Sequence, residues 1–122
     1  MKFREFETKS GVKILLGKDA KSNEELVKQF QEKENIILHT AAPGSPFCVI
    51  ESLNPRRKDI KDATTVCASY SQDWRDNHND VKVHAFIGKD VYKEKKMKLG
   101  TFGIKKKKVI KAKRRDIERW KK

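Results

Sequence analysis

Basic side chains that could contact phosphate groups gather near the C-terminal end of the sequence. Lysine ammonium groups act as point charges toward phosphate, and each contact releases condensed counterions from a nucleic acid. The preponderance of lysine over arginine favours contact with the backbone over bidentate reading of base edges. The candidate nucleic-acid-binding residues form three clusters: Lys93, Lys95, Lys96 and Lys98; Lys105, Lys106, Lys107 and Lys108; and Lys111, Lys113, Arg114 and Arg115.

Aromatic and aliphatic side chains are interleaved with these clusters. Tyr92, Phe102 and Trp120 could stack on unpaired bases, as aromatic residues do in single-strand binders, or they could belong to the core. The alternation of apolar and basic residues predicts a folded strand that buries Val109 and displays its lysines outward. The alternative interpretation of the lysines is a surface that only keeps the protein soluble.

The net charge is concentrated in the last third of the chain. The whole sequence has 30 basic and 17 acidic residues, which gives +13. Residues 89–122 contain 16 basic and 4 acidic residues, a net of +12, so residues 1–88 contribute only +1 from 14 and 13. Charge of this size bears on partners rather than on fold. It favours a polyanion such as RNA or DNA, with an anionic membrane surface as the second choice.

Residues with catalytic or metal-binding chemistry show no productive spacing. The sequence contains no glycine-rich phosphate loop and no nucleophile elbow. The histidines lack metal-ligand spacing, and three nearby acids lack the pattern of a calcium loop. We therefore expect no catalytic residue, no metal and no cofactor. The residues considered were His39, His78 and His84, and Asp73, Asp76 and Asp80.

The two cysteines, Cys48 and Cys67, have apolar neighbours on both sides. A disulfide is arithmetically available, but two reduced core thiols in a cytoplasmic protein fit this setting better. The N-terminal residues lack the apolar segment of a signal peptide, and the apolar runs are too short to span a bilayer. We expect a cytoplasmic protein without membrane insertion.

The elements that must hold these residues follow from the apolar periodicity. Residues 1–122 predict a single α+β domain, with a mainly antiparallel or mixed sheet, two helices and C-terminal residues that fray. In the first half we expect strands at 3–8, 12–16, 35–39 and 47–51, a loop at 43–46, and a helix with Ser22 as N-cap that ends near Gln31. In the second half we expect a helix from about Arg57 to Arg75, a strand at 81–87 and a hairpin joining 101–105 to 109–113.

Several short motifs, taken in order, resemble the NFACT-R domain family along essentially the whole chain. They begin with Phe3-Arg4-x-Phe6 and Leu15-Leu16-Gly17-Lys18-Asp19-Ala20. They continue with Asn35 to His39, Pro43-Gly44-Ser45, Ala68-Ser69-Tyr70-Ser71, Asp80-Val81-x-Val83, Lys89-Asp90-Val91-Tyr92-Lys93 and Gly100-Thr101-Phe102-Gly103. The chain has Asn35 and Ile37 where the family usually has Asp and Trp.

The resemblance implies an RNA-binding module of the kind found at one end of ribosome quality-control factors. It also implies a stand-alone, archaeal-type member that engages ribosomal RNA, tRNA or the ribosome. The family motifs at 35–39 and 43–45 add His39, Gly44 and Ser45 as candidates for contact with a base or ribose. Three hypotheses stay open: this RNA module, with DNA as a further ligand; a scaffold for an acidic protein partner; and a nucleic-acid-modifying enzyme that uses His39, Ser45 or the three acids.

Overall fold

Eight short strands and four helices make up the computed structural model, which describes residues 2–121. The strands are β1 (Arg4–Glu7), β2 (Lys13–Leu16), β3 (Ile36–Thr40), β4 (Cys48–Ile50), β5 (Val81–Ile87), β6 (Val91–Tyr92), β7 (Gly103–Ile104) and β8 (Lys108–Ala112). The helices are α1 (Ala20–Phe30), α2 (Arg57–Ser69), α3 (Gln72–Asn77) and α4 (Arg114–Lys121). The predicted α+β domain is confirmed, but the prediction of two helices is wrong. In the part of the chain described, no helix is long and apolar enough to cross a bilayer.

Six strands form one antiparallel sheet in the order β1-β2-β4-β3-β5-β8, and β6 pairs with β7 in a separate two-stranded sheet. Side chains alternate between the two faces of the large sheet. One face carries Val81 and Val83 and is covered by α2, α3 and α4. The opposite face carries Ile37 and Phe86 and is covered at one end by α1 and the small sheet. No helix among residues 2–121 covers the rest of this second face.

The first helix starts earlier than the sequence pattern predicts. Asp19, not Ser22, is the N-cap of α1, and its carboxylate accepts a hydrogen bond from the backbone N–H of Ser22 at 2.8 Å. The Ser22 hydroxyl in turn accepts one from the backbone N–H of Asp19 at 3.0 Å. This is a capping box displaced by three residues. Aspartate and serine are equally good N-caps, so the sequence allowed either start.

The long helix predicted from about Arg57 to Arg75 is divided into α2 and α3. The Ser69 and Ser71 hydroxyls each donate to a backbone carbonyl three residues earlier, at 2.7 Å. Serine hydroxyls compete in this way for groups that would otherwise continue a helix. The Ser71 hydroxyl also caps α3 by accepting from the Trp74 N–H, and the Gln72 N–H donates to the Gly44 carbonyl. The break therefore joins the α2–α3 corner to the loop that contains Gly44.

The predicted C-terminal hairpin is wrong, because its two strands pair elsewhere. β7 pairs with β6, whereas β8 runs along the free edge of β5 with Ala112 opposite Val81. In this register Ala112 is buried and Val109 is 60% exposed, so the prediction that Val109 is buried is also wrong. Residues 114–121 form the ordered helix α4 instead of a frayed turn, with Trp120 against Phe6 at 5.6 Å between ring centroids. Lys122 lies outside the described residues.

Candidate nucleic-acid interface

Ten of the twelve predicted basic residues have no acidic partner among residues 2–121. All ten side chains are exposed, and we call them the unpaired basic set. By contrast, Lys13, Lys28, Lys61 and Lys89 each lie 3.3–3.8 Å from a carboxylate. The unpaired basic set consists of Lys95, Lys96 and Lys98 in the loop between β6 and β7, Lys105, Lys106 and Lys107 in the next turn, Lys108 and Lys111 on β8, and Lys113 and Arg115 at the start of α4.

The other two predicted residues already have partners. The Lys93 ammonium lies 3.0 Å from the Glu24 carboxylate and donates to the carbonyls of Lys98 and Thr101. Arg114 forms an ion pair with Glu118 at 3.3 Å, one helical turn away. Because its side chain is mostly buried and its donors are engaged, Lys93 holds the loop that carries Lys95 to Lys98. It positions basic residues instead of offering its own charge.

A part of the large sheet that no helix covers carries Lys111 of the unpaired basic set, and the charge of a second member, Lys107, acts on His84 there. Two cross-strand rows occupy this area, which we call the open face. His39, His84 and Val109 lie side by side on β3, β5 and β8, and Lys82 lies opposite Lys111 in the next row. The lysines and Val109 are exposed, and both histidines are half-buried. Flat rings and an aliphatic side chain beside two exposed lysines form a surface suited to unstacked bases and their phosphates.

Both histidines of the open face favour the neutral form. Burial lowers the pKa of His39, whose ring stacks on Phe47 with centroids 4.3 Å apart. Burial also lowers the pKa of His84, and the positive charge of Lys107 lowers it further. Neutral imidazoles present π faces together with one donor and one acceptor nitrogen. At neutral pH the centre of the open face is therefore uncharged, and its rim is positive.

None of the three predicted stacking aromatics belongs to the open face, since Trp120 packs against Phe6 and the other two lie elsewhere. Phe102 is half-buried, with its ring edge-on to Phe47 at 5.8 Å and the Lys93 ammonium 4.7 Å from its centroid. It therefore packs against the core. Tyr92 is 39% exposed, and its ring lies over Gly103, where an added Cβ would come within 2.1 Å of the ring. One face of Tyr92 is thus occupied by backbone.

Residues 2–106 match the NFACT protein RNA binding domain. This chain belongs to that family. It is 38% identical over 68 residues to the Rqc2 homolog RqcH of Bacillus subtilis and 28% identical over 68 residues to the archaeal Rqc2 homolog aRqcH of Methanocaldococcus jannaschii. These stretches cover 55% and 54% of this chain but only 12% and 10% of the relatives, so the chain spans about a tenth of their length.

A solved structure shares the fold of this chain. It is the C-terminal part of the fibronectin/fibrinogen-binding protein from Streptococcus suis, with a TM-score of 0.82 and 24% identity. The superposition covers 91% of this chain and 45% of the other chain. At this identity the comparison supports the fold alone. The resemblance inferred from ordered motifs is confirmed.

The family loop, containing Gly44 and Ser45, has a clear conformational role in this NFACT domain. Gly44 has a φ of +90°, which favours glycine, and its carbonyl receives the Gln72 N–H. The Ser45 hydroxyl accepts a hydrogen bond from the backbone N–H of Thr40 at 3.1 Å and donates to the Pro46 carbonyl. These contacts shape the turn between β3 and β4 and direct the loop away from the open face toward the α2–α3 corner.

The residues considered for catalysis have other partners. Asp73 accepts from Asn77 and Asp76 accepts from Gln72, while Asp80 accepts from the Arg114 backbone N–H. Across residues 2–121 no three histidine, cysteine or acidic side chains come together as metal ligands do. Both cysteines are buried and free, as the reduced-thiol interpretation predicted. Burial raises the pKa of Cys48, with a further contribution from the neighbouring Cys67 thiol.

The lysines of β8 also have a structural explanation. β8 is an edge strand, and its outer backbone groups could pair with another chain. Charged side chains such as Lys108 and Lys111 discourage that pairing. This explanation covers only the lysines on the strand itself. Protection of an edge strand does not explain the lysines in the neighbouring loops, such as Lys95 and Lys106.

Sequence reasoning missed three members of the open face. Lys82 and His84 alternate with buried valines along β5, and this alternation indicated a polar face without revealing which element would cover it. Val109 was assigned to the wrong face, because the partner and register of β8 were not predictable from local pattern. The family pattern likewise gave no signal for these positions.

Proposed function

We propose that this protein is a non-catalytic RNA-binding module that grips phosphates with the unpaired basic set and places unstacked bases on the open face. The observation that carries the proposal is the location of the uncompensated charge. Ten exposed basic side chains without acidic partners, among the residues described, fall between Lys95 and Arg115, and one of them, Lys111, lies on the open face opposite Lys82. Such charge is self-repulsive unless an anionic partner offsets it.

The family membership and the relatives support a ribosome-associated setting for the proposed RNA binding. The curated relatives are Rqc2 homologs, which supports ribosomal RNA or tRNA on a ribosome-associated complex as the target. DNA offers the same phosphates, so discrimination would depend on the ribose 2′-hydroxyl. Binding to an RNA oligonucleotide and to DNA of the same sequence separates the two.

The decisive experiment changes Lys105, Lys106, Lys107 and Lys108 to glutamine. Each phosphate contact contributes about 0.7–0.9 to the slope of log K against log salt concentration, so four contacts contribute about 3. Fluorescence anisotropy with a labelled single-stranded RNA should show weaker binding and a slope reduced by up to that amount. We expect the unfolding midpoint to stay the same or rise, because repulsion between the lysines is removed.

A matched control removes the same charge from another part of the surface. Lys13, Lys28, Lys61 and Lys89 all form ion pairs, and their replacement by glutamine also lowers the net charge by four. If binding depends on location, this variant keeps most of its affinity and salt slope. Equal losses in both variants would show a response to net charge alone and would refute the proposed interface. Cellular complexes that survive nuclease treatment would instead support an acidic protein partner.

A further inference from the structure

A second positive surface lies in a cleft formed mainly by segments from the first two-thirds of the chain. Its volume is about 390 Å³, within the range of small-ligand pockets. Five segments meet there: Arg4 of β1, residues 17–23, the loop at 44–46, the α2–α3 corner, and residues 99–100. None of the ten unpaired basic residues lines it, so the cleft is a separate feature of the fold.

The charge of the cleft favours an anionic ligand. Arg4, Lys18 and Arg75 line it, and Asp19 is the acidic residue among the lining side chains. The Asp19 carboxylate is engaged by the backbone N–H of Ser22 as the cap of α1, and this hydrogen bond lowers its pKa. The lining therefore carries a net charge of +2, because Asp19 keeps its negative charge while it caps α1.

The two arginines are held in place by one aromatic residue. The Arg4 guanidinium lies over the Tyr70 ring at 4.8 Å, and its Nη1 donates to the Gly17 carbonyl at 3.4 Å. Arg75 donates to the Tyr70 carbonyl at 3.3 Å and to the Gln72 side chain at 2.9 Å. A guanidinium has five N–H donors, so most donors of both groups remain available for phosphate oxygens. Neither arginine forms an ion pair within residues 2–121.

Other features of the cleft match a base and its sugar. Arg4 stacked on Tyr70 offers a flat cationic surface, on which nucleobases stack well. The Asn23 side-chain oxygen accepts from the Phe47 N–H, which leaves the Asn23 NH₂ group without a partner among the described residues. An added Cβ at Gly17 would lie 1.9 Å from that oxygen, so glycine allows this close approach. Leu99, 57% exposed, adds an apolar wall.

We propose that this cleft binds one nucleoside monophosphate, with the phosphate between Arg4 and Arg75 and the base against the Arg4–Tyr70 stack. The same chemistry is present in a free nucleotide and in an unpaired nucleotide of RNA. A bare phosphate would use the arginines but not the stack, the amide or the apolar wall. The site does not depend on the lysine-mediated RNA binding proposed above.

The test titrates AMP, GMP, CMP, UMP and inorganic phosphate into the full chain, with calorimetry and backbone amide NMR shifts as readouts. We expect at least one nucleotide to bind, to shift the amides of residues 17–20 and 44–45, and to bind more tightly than phosphate. Arg75→Gln should weaken binding at least about tenfold, because a charge-assisted hydrogen bond is lost. The matched control is Arg57→Gln, since Arg57 is exposed and does not line the cleft.

Three results would overturn this proposal. They are the absence of nucleotide binding at millimolar concentration, equal affinity for phosphate and nucleotide, and equal losses in Arg75→Gln and Arg57→Gln. Arg75 is the primary variant because it is exposed, whereas Arg4 packs on Tyr70 and could affect folding. The variant with glutamine at positions 105–108 should retain nucleotide binding even if it loses RNA, so the two proposals can fail separately. Competition between nucleotide and RNA would identify RNA as the source, and its absence would identify a free nucleotide.

Discussion

Among the charged residues of this domain, replacement of Glu24 should reduce the free energy of unfolding most, because Glu24 connects the loop between β6 and β7 to α1. The Glu24 side chain is 9% exposed, and its carboxylate lies 3.0 Å from the Lys93 ammonium and accepts the Gly100 backbone N–H at 2.7 Å. The same carboxylate also contacts Lys28 at 3.3 Å on the exposed side of the helix. One acid therefore has an inward and an outward lysine partner, which makes an internal comparison available.

The expected losses of unfolding free energy follow from how deeply each ion pair of Glu24 is buried. Breaking a buried ion pair costs about 3–5 kcal/mol, and the 20% exposure of the Lys93 side chain reduces this to about 2 kcal/mol. We expect that loss from Glu24→Gln and a similar one from Lys93→Met, with a coupling energy of about 1–2 kcal/mol in the double variant. Lys28→Gln should cost no more than about 0.5 kcal/mol, because its ammonium is exposed and spaced i,i+4 on a helix.

Urea denaturation followed by circular dichroism measures these differences, with unchanged m-values as the condition for comparison. The direction in which stability changes with pH follows from the pKa of Glu24. Burial alone would raise the pKa of Glu24, but the hydrogen bonds from Gly100 and Lys93 outweigh it and lower the pKa. The stabilisation is therefore present above the unfolded pKa of about 4.3 and is lost as the pH falls below it. Equal costs for Lys28→Gln and Lys93→Met, or a coupling near zero, would refute this reasoning.

Three further predictions test the fold. Gly88→Ala should destabilise the domain by about 2–3 kcal/mol, because the new Cβ would lie 1.8 Å from the Phe30 carbonyl oxygen. Gly11 has a φ of +91° but open space around it, so Gly11→Ala should cost only about 1 kcal/mol. The same urea assay measures both changes. Hydrogen bonds to the Asp59 carboxylate, first from Ser10 and then from the Arg56 backbone N–H, lower its pKa. The melting temperature should therefore fall as the pH drops below about 4, and Asp59→Asn should flatten this dependence of the melting temperature on pH. Both buried cysteines should resist a thiol reagent in the native protein and react fully after unfolding; rapid labelling of the native state would contradict their burial.

Local side-chain patterns along the sequence were enough to predict several strands, the family and the location of the positive charge in the chain. Alternating residues identified β5, branched apolar residues identified β3, and the family motifs identified the NFACT domain. The concentration of positive charge in residues 89–122 was also plain from the sequence, because charge is a property of composition. These features depend on side-chain type and spacing within a few residues, which is why they could be predicted.

Tertiary structure decided where that chemistry is displayed. The choice of β5 as the partner of β8 exposed Val109 and aligned it with His84, because a register is set by long-range pairing and one-residue shifts exchange the faces. Lys93 and Lys95 look alike in sequence, yet only the fold brings Glu24 to the former and leaves the latter in solvent. Long-range packing thus turned similar lysines into one structural residue, Lys93, and a set of unpaired charges of which Lys111 lies on the open face.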